Sequence, residues 1–245
     1  MTETVAGTAA TRYLFPPPPL PAVPVEGASG LYPVSRIFCV GRNYAEHARE
    51  MGFEVDREAP FYFTKAANAL VLTGATVPYP PGTSNYHYEM ELVVAIGAPA
   101  FFVPAERAME AVFGYACGLD MTRRDLQFGA REKGRPWDFG KAFEQSAIIA
   151  PLRRAAEVGA IGPQRLTLSV NGQRRQDTLL SNMVWSVAEL IAYLSRYYHL
   201  GPGDLIYTGT PAGVGAIIAG DEISGAIDGL PPIALTIAPA ERPGG

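Results

Sequence analysis

The stretch Asn85–Gly97, N-Y-H-Y-E-M-E-L-V-V-A-I-G, restricts the fold more than any other part of this chain. Its second half, Leu92 to Ile96, is apolar and rich in β-branched residues, the composition of a buried strand. Strand side chains alternate faces, so His87, Glu89 and Glu91 project one way and Tyr88, Met90 and Leu92 the other. The first face continues into Val93 and Ala95, so two carboxylates lead straight into core. Like charges a few ångströms apart repel, and a pair at the mouth of a buried strand needs a cationic partner. A lone E-x-E reads either as a solvated strand end or as two ligands of a hard divalent cation. A third ligand and nearby chemistry have to decide.

The rest of the chain supplies short strands around that one. Ile37–Val40, Phe61–Thr64, Leu70–Thr73, Phe113–Leu119, the L-T-L-S-V before Asn171, the L-I-Y-T from Leu205 and a run within Pro232–Ile237 all carry strand composition. Asn171-Gly172 is the strongest hairpin signal. Helices are few and short. One runs barely two turns from an Asn43 N-cap to a Gly52 stop, a second covers Ala105 to Val112, and a third is capped by Thr122 and passes through R-R-D-L-Q-F-G-A-R. A fourth opens on the capping box Ser186/Glu189 and ends near Gly201. No regular βαβ alternation is present, which argues against a doubly wound sheet and for a strand-rich α+β fold. Pro16 to Pro24 holds six prolines and reads as extended chain, so residues 1–25 form an arm and 26–245 a single domain.

Composition narrows function by exclusion. The 245 residues are 48% apolar and 18% charged, an ordinary globular balance, and a net charge of −4 points to neither nucleic acid nor anionic membrane as partner. Cys39 and Cys117 both lie in apolar runs, as buried reduced thiols of a cytoplasmic protein do. Met1 to Phe15 has no apolar signal-peptide core. The most apolar run, Leu92 to Ala105, is broken by Gly97, Pro99 and Pro104, so no bilayer span is expected.

Asp120 ends an apolar run where a carboxylate can turn into a pocket at a strand edge, or simply cap a turn. With Glu89 and Glu91 it makes three carboxylates, enough for Mg²⁺ or Mn²⁺. Such a site keeps roughly one net negative charge, so an anionic substrate needs cations nearby. The 20 basic residues include only three lysines, Lys65, Lys133 and Lys141. Lys65 follows F-Y-F-T and Lys141 follows W-D-F-G, so each either snorkels or holds an ammonium where charge develops on an oxygen. Arg42, Arg123 and Arg124 are candidates for gripping carboxylates. His47 and Glu50 share one face of the short helix, either as an acid–base pair or as an exposed surface pair. G-T-P-A-G-V-G lacks the Gly-Lys-Ser/Thr ending of a nucleotide loop, leaving a close-approach loop or an ordinary turn. No nucleophile elbow or activated cysteine is present.

Five motifs in order resemble the fumarylacetoacetate hydrolase family: F-C-V-G-R-N-Y-A-E-H-A-R-E-M, N-Y-H-Y-E-M-E-L-V-V-A-I-G, G-Y-A-C-G-L-D-M-T-R-R-D-L-Q, G-K-A-F-E and G-D-L-I-Y-T-G-T-P-A-G-V-G. The resemblance spans about Val34 to Ile237 and implies that family's mixed β-roll with a few peripheral helices, usually a homodimer. Carried over by motif position, it makes Glu89, Glu91 and Asp120 the Mg²⁺ or Mn²⁺ ligands. It makes His47 and Glu50 the water-activating pair on a lid, and Lys141 the oxyanion-stabilising lysine. Arg124, Gln127 and Thr210 become substrate contacts, with Arg42 a further candidate. Ala66 stands where relatives often carry proline, which leaves Lys65 without an assigned role. The runs M-G-F-E-V-D-R-E-A-P-F-Y-F, D-M-T-R-R-D-L-Q and G-R-P-W resemble members that act on fumarylpyruvate in gentisate-type aromatic catabolism. The implied activity is metal-dependent hydrolysis of a C–C bond in an acylpyruvate, a small anionic 2-oxoacid. A 2-oxoacid decarboxylase or isomerase is the alternative, and a non-catalytic metal-binding module is disfavoured because binding alone needs no base.

Overall fold

The computed structural model describes residues 13–52, 57 and 59–241. The arm assigned to 1–25 is therefore described only from Tyr13, and much of the run M-G-F-E-V-D-R-E-A-P-F-Y-F lies outside the described residues. The strand-rich α+β expectation holds, with 39% strand against 20% helix and a larger sheet that curls into a half-barrel.

Met90–Ile96 is the middle strand, and all seven of its residues are buried. It pairs antiparallel with Val112–Asp120 on one side and Asp204–Tyr207 on the other. The sheet then extends through Arg36–Gly41 to Phe61–Lys65, and through Ala147–Ile149 to Leu70–Leu72. Both faces of this sheet are covered, which is why the central strand is apolar at every position past Glu91. Met90, Leu92, Val94 and Ile96 pack into a core shared with Leu166, Leu168, Ile223, Ile233 and Leu235 of a second, five-stranded sheet. Val93 and Ala95 enter a separate core with Val23, Val34, Ile37 and Cys39. Gly118, opposite Glu91, lets these layers close, since a Cβ there would meet the Tyr207 ring at 2.7 Å.

Local signals came out largely as read. Asn171 and Gly172 have φ of 49° and 75° and join Arg165–Val170 to Gln173–Leu179, the conformation a two-residue type I′ turn needs. Ser186 and Glu189 make both bonds of a capping box at the helix Val187–Leu194. That helix stops at Leu194, short of Gly201, because turns at 195–197 carry the chain back. The Ala105–Ala108 helix tightens into a 3₁₀ turn at Met109–Ala111 before the next strand begins at Val112. At the N-terminal end, Ala22–Pro24 pairs with Leu31–Pro33 and Val23 is fully buried. Cys39 and Cys117 are buried free thiols. Among the described residues no helix is long and apolar enough to cross a membrane.

Three readings need correction. The stretch Asn85–Gly97 is not one strand: it breaks at Glu89 into Tyr86–Tyr88, part of a three-stranded sheet, and Met90–Ile96. Asn43 does not cap the helix Ala45–Glu50, whose N-cap is Tyr44. Its side chain instead accepts from Trp185 N at 2.7 Å and donates to Thr208 O at 2.8 Å, tying the helix entry to two distant loops. Thr122 does not cap the helix Arg124–Glu132 but sits in the two-residue strand Thr122–Arg123, its hydroxyl donating to Asp120 O at 3.1 Å.

Candidate active site around three buried carboxylates

Antiparallel register assembles the acidic cluster. Met90 pairs with Leu119 and Glu91 with Gly118, so Asp120 falls opposite Glu89, and its N–H donates to Glu89 O at 2.9 Å. Side-chain alternation survives the strand break and puts Glu91 on the same side. Ligand oxygens of Glu89, Glu91 and Asp120 lie within 4.8 Å of one another, and all three residues are at most 5% exposed.

Cations from three other segments surround them. Lys141, at the end of the helix Asp138–Lys141, donates to Glu89 Oε2 at 2.7 Å, Asp120 Oδ2 at 2.8 Å and Thr122 Oγ1 at 2.7 Å. Arg124 pairs with Glu89 Oε1 and donates to Gln127 Oε1 at 2.6 Å. Lys65 lies 2.9 Å from Asp120 Oδ1 and donates to the carbonyls of Met121 and Lys141. Glu91 accepts the Gly209 N–H at 2.7 Å.

These surroundings divide the carboxyls. Burial alone would raise Glu89, but the charges of Lys141 and Arg124 hold it well below the ordinary carboxylate range. Glu91 is pushed well above that range, by burial first and then by Asp120 and Glu89. Burial works against the Lys141 ammonium, yet Asp120 and Glu89 raise its pKa, so it is a firm cation. The cluster fits a hard divalent ion. Its donors are all carboxylate oxygen, and Asp120 Oδ1 is buried without a hydrogen bond, since the neighbouring Lys65 ammonium does not meet it in hydrogen-bond geometry.

The same cleft contains His47, Arg42, Gln127 and Thr210. His47 Nδ1 lies 3.1 Å from Glu50 Oε2, and Gly213 N donates to Glu50 Oε1 at 3.2 Å. Partial burial opposes ionisation of Glu50, but the His47 ring and the Gly213 N–H outweigh it and lower its pKa. The loop G-T-P-A-G-V-G thus presents backbone N–H groups to Glu91 and Glu50, the close approach its glycines permit. Gly209 in this loop has φ of +97°, and a Cβ on it would come within 2.8 Å of Asn43 Cβ. His87 accepts from Arg124 Nε at 3.5 Å and shares a 2.8 Å hydrogen bond with Asn85 Oδ1. Burial, then Arg124, lowers its pKa to about 4, so it stays neutral and steadies Arg124.

Arg123 is not in the cleft. Strand alternation turns it away from Thr122, and its guanidinium stacks 4.1 Å from the Phe143 ring centroid. Lys65 neither snorkels nor faces the cleft; it is 3% exposed and braces Asp120 from behind. Several participants were not anticipated. Gln176 is the buried position of an otherwise largely exposed strand. It accepts from Met90 N at 3.0 Å and donates to Thr210 Oγ1 at 2.9 Å, fixing Thr210 against the strand of the acidic residues. No local pattern marks it. Arg131 also lines the cleft, and helical spacing could have found it, because it follows Arg124 and Gln127 on one face of their helix.

Fold and site define a class, and residues 36–238 match the family described as fumarylacetoacetate (FAA) hydrolase C-terminal; the chain belongs to that family. A fumarylpyruvate hydrolase from Ralstonia sp. is 56% identical over 197 residues, covering 78% of this chain and 100% of the relative. The crystal structure of fumarylpyruvate hydrolase from Pseudomonas aeruginosa in complex with Mn²⁺ and pyruvate matches with a TM-score of 0.89 and 50% identity, covering 93% of this chain and 100% of that one. An oxaloacetate tautomerase from Escherichia coli (strain K12) is 40% identical over 206 residues, 83% of this chain and 93% of the relative.

Proposed function

We propose that this protein is a divalent-metal-dependent hydrolase that cleaves fumarylpyruvate with water to fumarate and pyruvate. The observation that carries the reading is a buried carboxylate triad and a carboxylate-anchored histidine lining one cleft. Similarity to fumarylpyruvate hydrolases at 56% and 50% identity supports the substrate.

Glu89, Glu91 and Asp120 would hold the ion, Mg²⁺ or Mn²⁺, which when bound supplies Lewis-acid stabilisation for the departing pyruvate enolate. Glu50 bonds His47 Nδ1, which fixes the tautomer and leaves Nε2 to take a proton from water. That water attacks the distal ketone, C4, and the Lys141 ammonium stabilises the oxyanion formed there. The C3–C4 bond then breaks, its electron pair leaving with C3. Arg124, Gln127, Thr210 and Arg42 orient the substrate. The same reading makes the protein a cytoplasmic homodimer of aromatic, gentisate-type catabolism, with an arm over residues 1–25 and one catalytic domain over 26–245.

A second reading, a 2-oxoacid tautomerase or decarboxylase, is favoured by the Escherichia coli relative. Offering fumarylpyruvate, acetylpyruvate and oxaloacetate in parallel with Mg²⁺ separates the two. Fumarylpyruvate should show the highest kcat/KM, with fumarate and pyruvate formed in equal amounts. Oxaloacetate as the best substrate, by tautomerisation or CO₂ release, would replace the proposal with the second reading.

A further inference from the structure

Positive charge in the cleft lies in two layers. Among the described residues, the lysine and arginine side chains that line it are Arg42, Arg124, Arg131 and Lys141. Arg124 and Lys141 pair with the inner carboxylates, Glu89 and Asp120. Arg131 lies seven residues beyond Arg124 on the same helix, about 10 Å further along its axis at 1.5 Å per residue. Arg42 comes from the turn that ends Arg36–Gly41, held at φ of 60°. Each guanidinium lies near an aromatic ring, Arg131 5.7 Å from Phe128 and Arg42 5.8 Å from Phe61. The two are close enough to oppose one another: burial lowers the Arg42 pKa first, and the Arg131 charge lowers it further. Two guanidiniums lining the outer part of one cleft raise its positive potential, which draws an anionic group toward them.

An elongated cleft suits a long substrate. Six bonds separate the two carboxylate carbons of a seven-carbon dioxo-diacid, as many as two extended residues, or about 7 Å. With its 2-oxo-carboxylate end at the acidic triad, such a substrate extends its far carboxylate along the cleft that Arg42 and Arg131 line. Phe63, Phe128 and Trp137 line the same cleft and offer apolar wall to the unsaturated carbons.

We propose that Arg42 and Arg131 form the subsite that reads the distal carboxylate, with Arg131 separating dicarboxylate from monocarboxylate acylpyruvates. This rests on the acylpyruvate reading of the site, and the test keeps the two apart. The Mg²⁺-loaded enzyme, wild type and Arg131→Met, is assayed on fumarylpyruvate and acetylpyruvate. The ratio of the two kcat/KM values should fall about 10- to 100-fold in the variant, the range expected for a lost charge-assisted contact. Loss of both activities in proportion, with the ratio kept, overturns the subsite. Calorimetric titration of the same proteins with 2-oxopimelate and 2-oxoheptanoate, equal in length and differing in the far carboxylate, needs no turnover. Wild type should prefer the diacid and Arg131→Met should not; a preference that survives the substitution, or is absent from wild type, refutes the assignment even if fumarylpyruvate is not the substrate. Arg131→Lys and Arg42→Met serve as second variants should Arg131→Met fold poorly, and each should give an intermediate ratio.

Discussion

Replacing Lys65 by Met keeps the apolar stem and deletes the charge behind Asp120. The ammonium is buried, 2.9 Å from Asp120 Oδ1 and bonded to Met121 O at 3.1 Å and to Lys141 O. Its loss leaves Asp120, among the described residues, with Lys141 as ion-pair partner and takes a donor from two carbonyls. Removing one partner of a buried pair costs about 3–5 kcal/mol, because the other charge stays behind uncompensated. In a domain of this size 1 kcal/mol moves Tm by about 2–4 °C, so about 4 kcal/mol predicts a fall of roughly 8–16 °C in metal-free protein. Saturating Mg²⁺ brings positive charge to the same carboxylates and should recover part of the fall. Thermal unfolding followed by circular dichroism, in EDTA and in Mg²⁺, measures both quantities. Adding Asp120→Asn closes a double-mutant cycle, in which the combined loss should be about 1–3 kcal/mol smaller than the sum of the single losses. A Lys65→Met melting point within about 2 °C of wild type would refute the reasoning, as would strict additivity with Asp120→Asn.

The triad makes a claim about protons. Burial and the carboxylates of Asp120 and Glu89 hold the metal-free Glu91 carboxyl well above its usual pKa, so metal uptake should expel a proton from it. Affinity for Mg²⁺ or Mn²⁺ should then rise with pH, by up to about tenfold per unit below that pKa; calorimetry in buffers of different ionisation enthalpy checks this, and a signal independent of buffer contradicts it. His47→Ala should lower kcat about 10²–10⁴-fold while Mn²⁺ affinity, read by titration, stays near wild type. Glu50→Gln should lose part of that rate, and an undiminished kcat in either variant would place the base elsewhere.

Much of the site was legible because strand alternation and helical spacing depend only on near neighbours. Alternation carried Glu89 and Glu91 to one face even though the strand breaks between Tyr88 and Met90. Spacing joined His47 to Glu50, and turn chemistry set the Asn171-Gly172 hairpin. The break itself was not legible, because it comes from the chain leaving one sheet for another, with Met90 N bonded to Gln176. Arg123 and Arg124 are adjacent and chemically identical, and only the change from strand to helix between them sends one to Phe143 and the other to Glu89. Lys65 and Asp120 are 55 positions apart, and Gln176 and Thr210 are 34. A buried charge or amide is stable only where another segment supplies its partner. The sequence therefore determined which residues could do chemistry, while the sheet register decided which of them face one another.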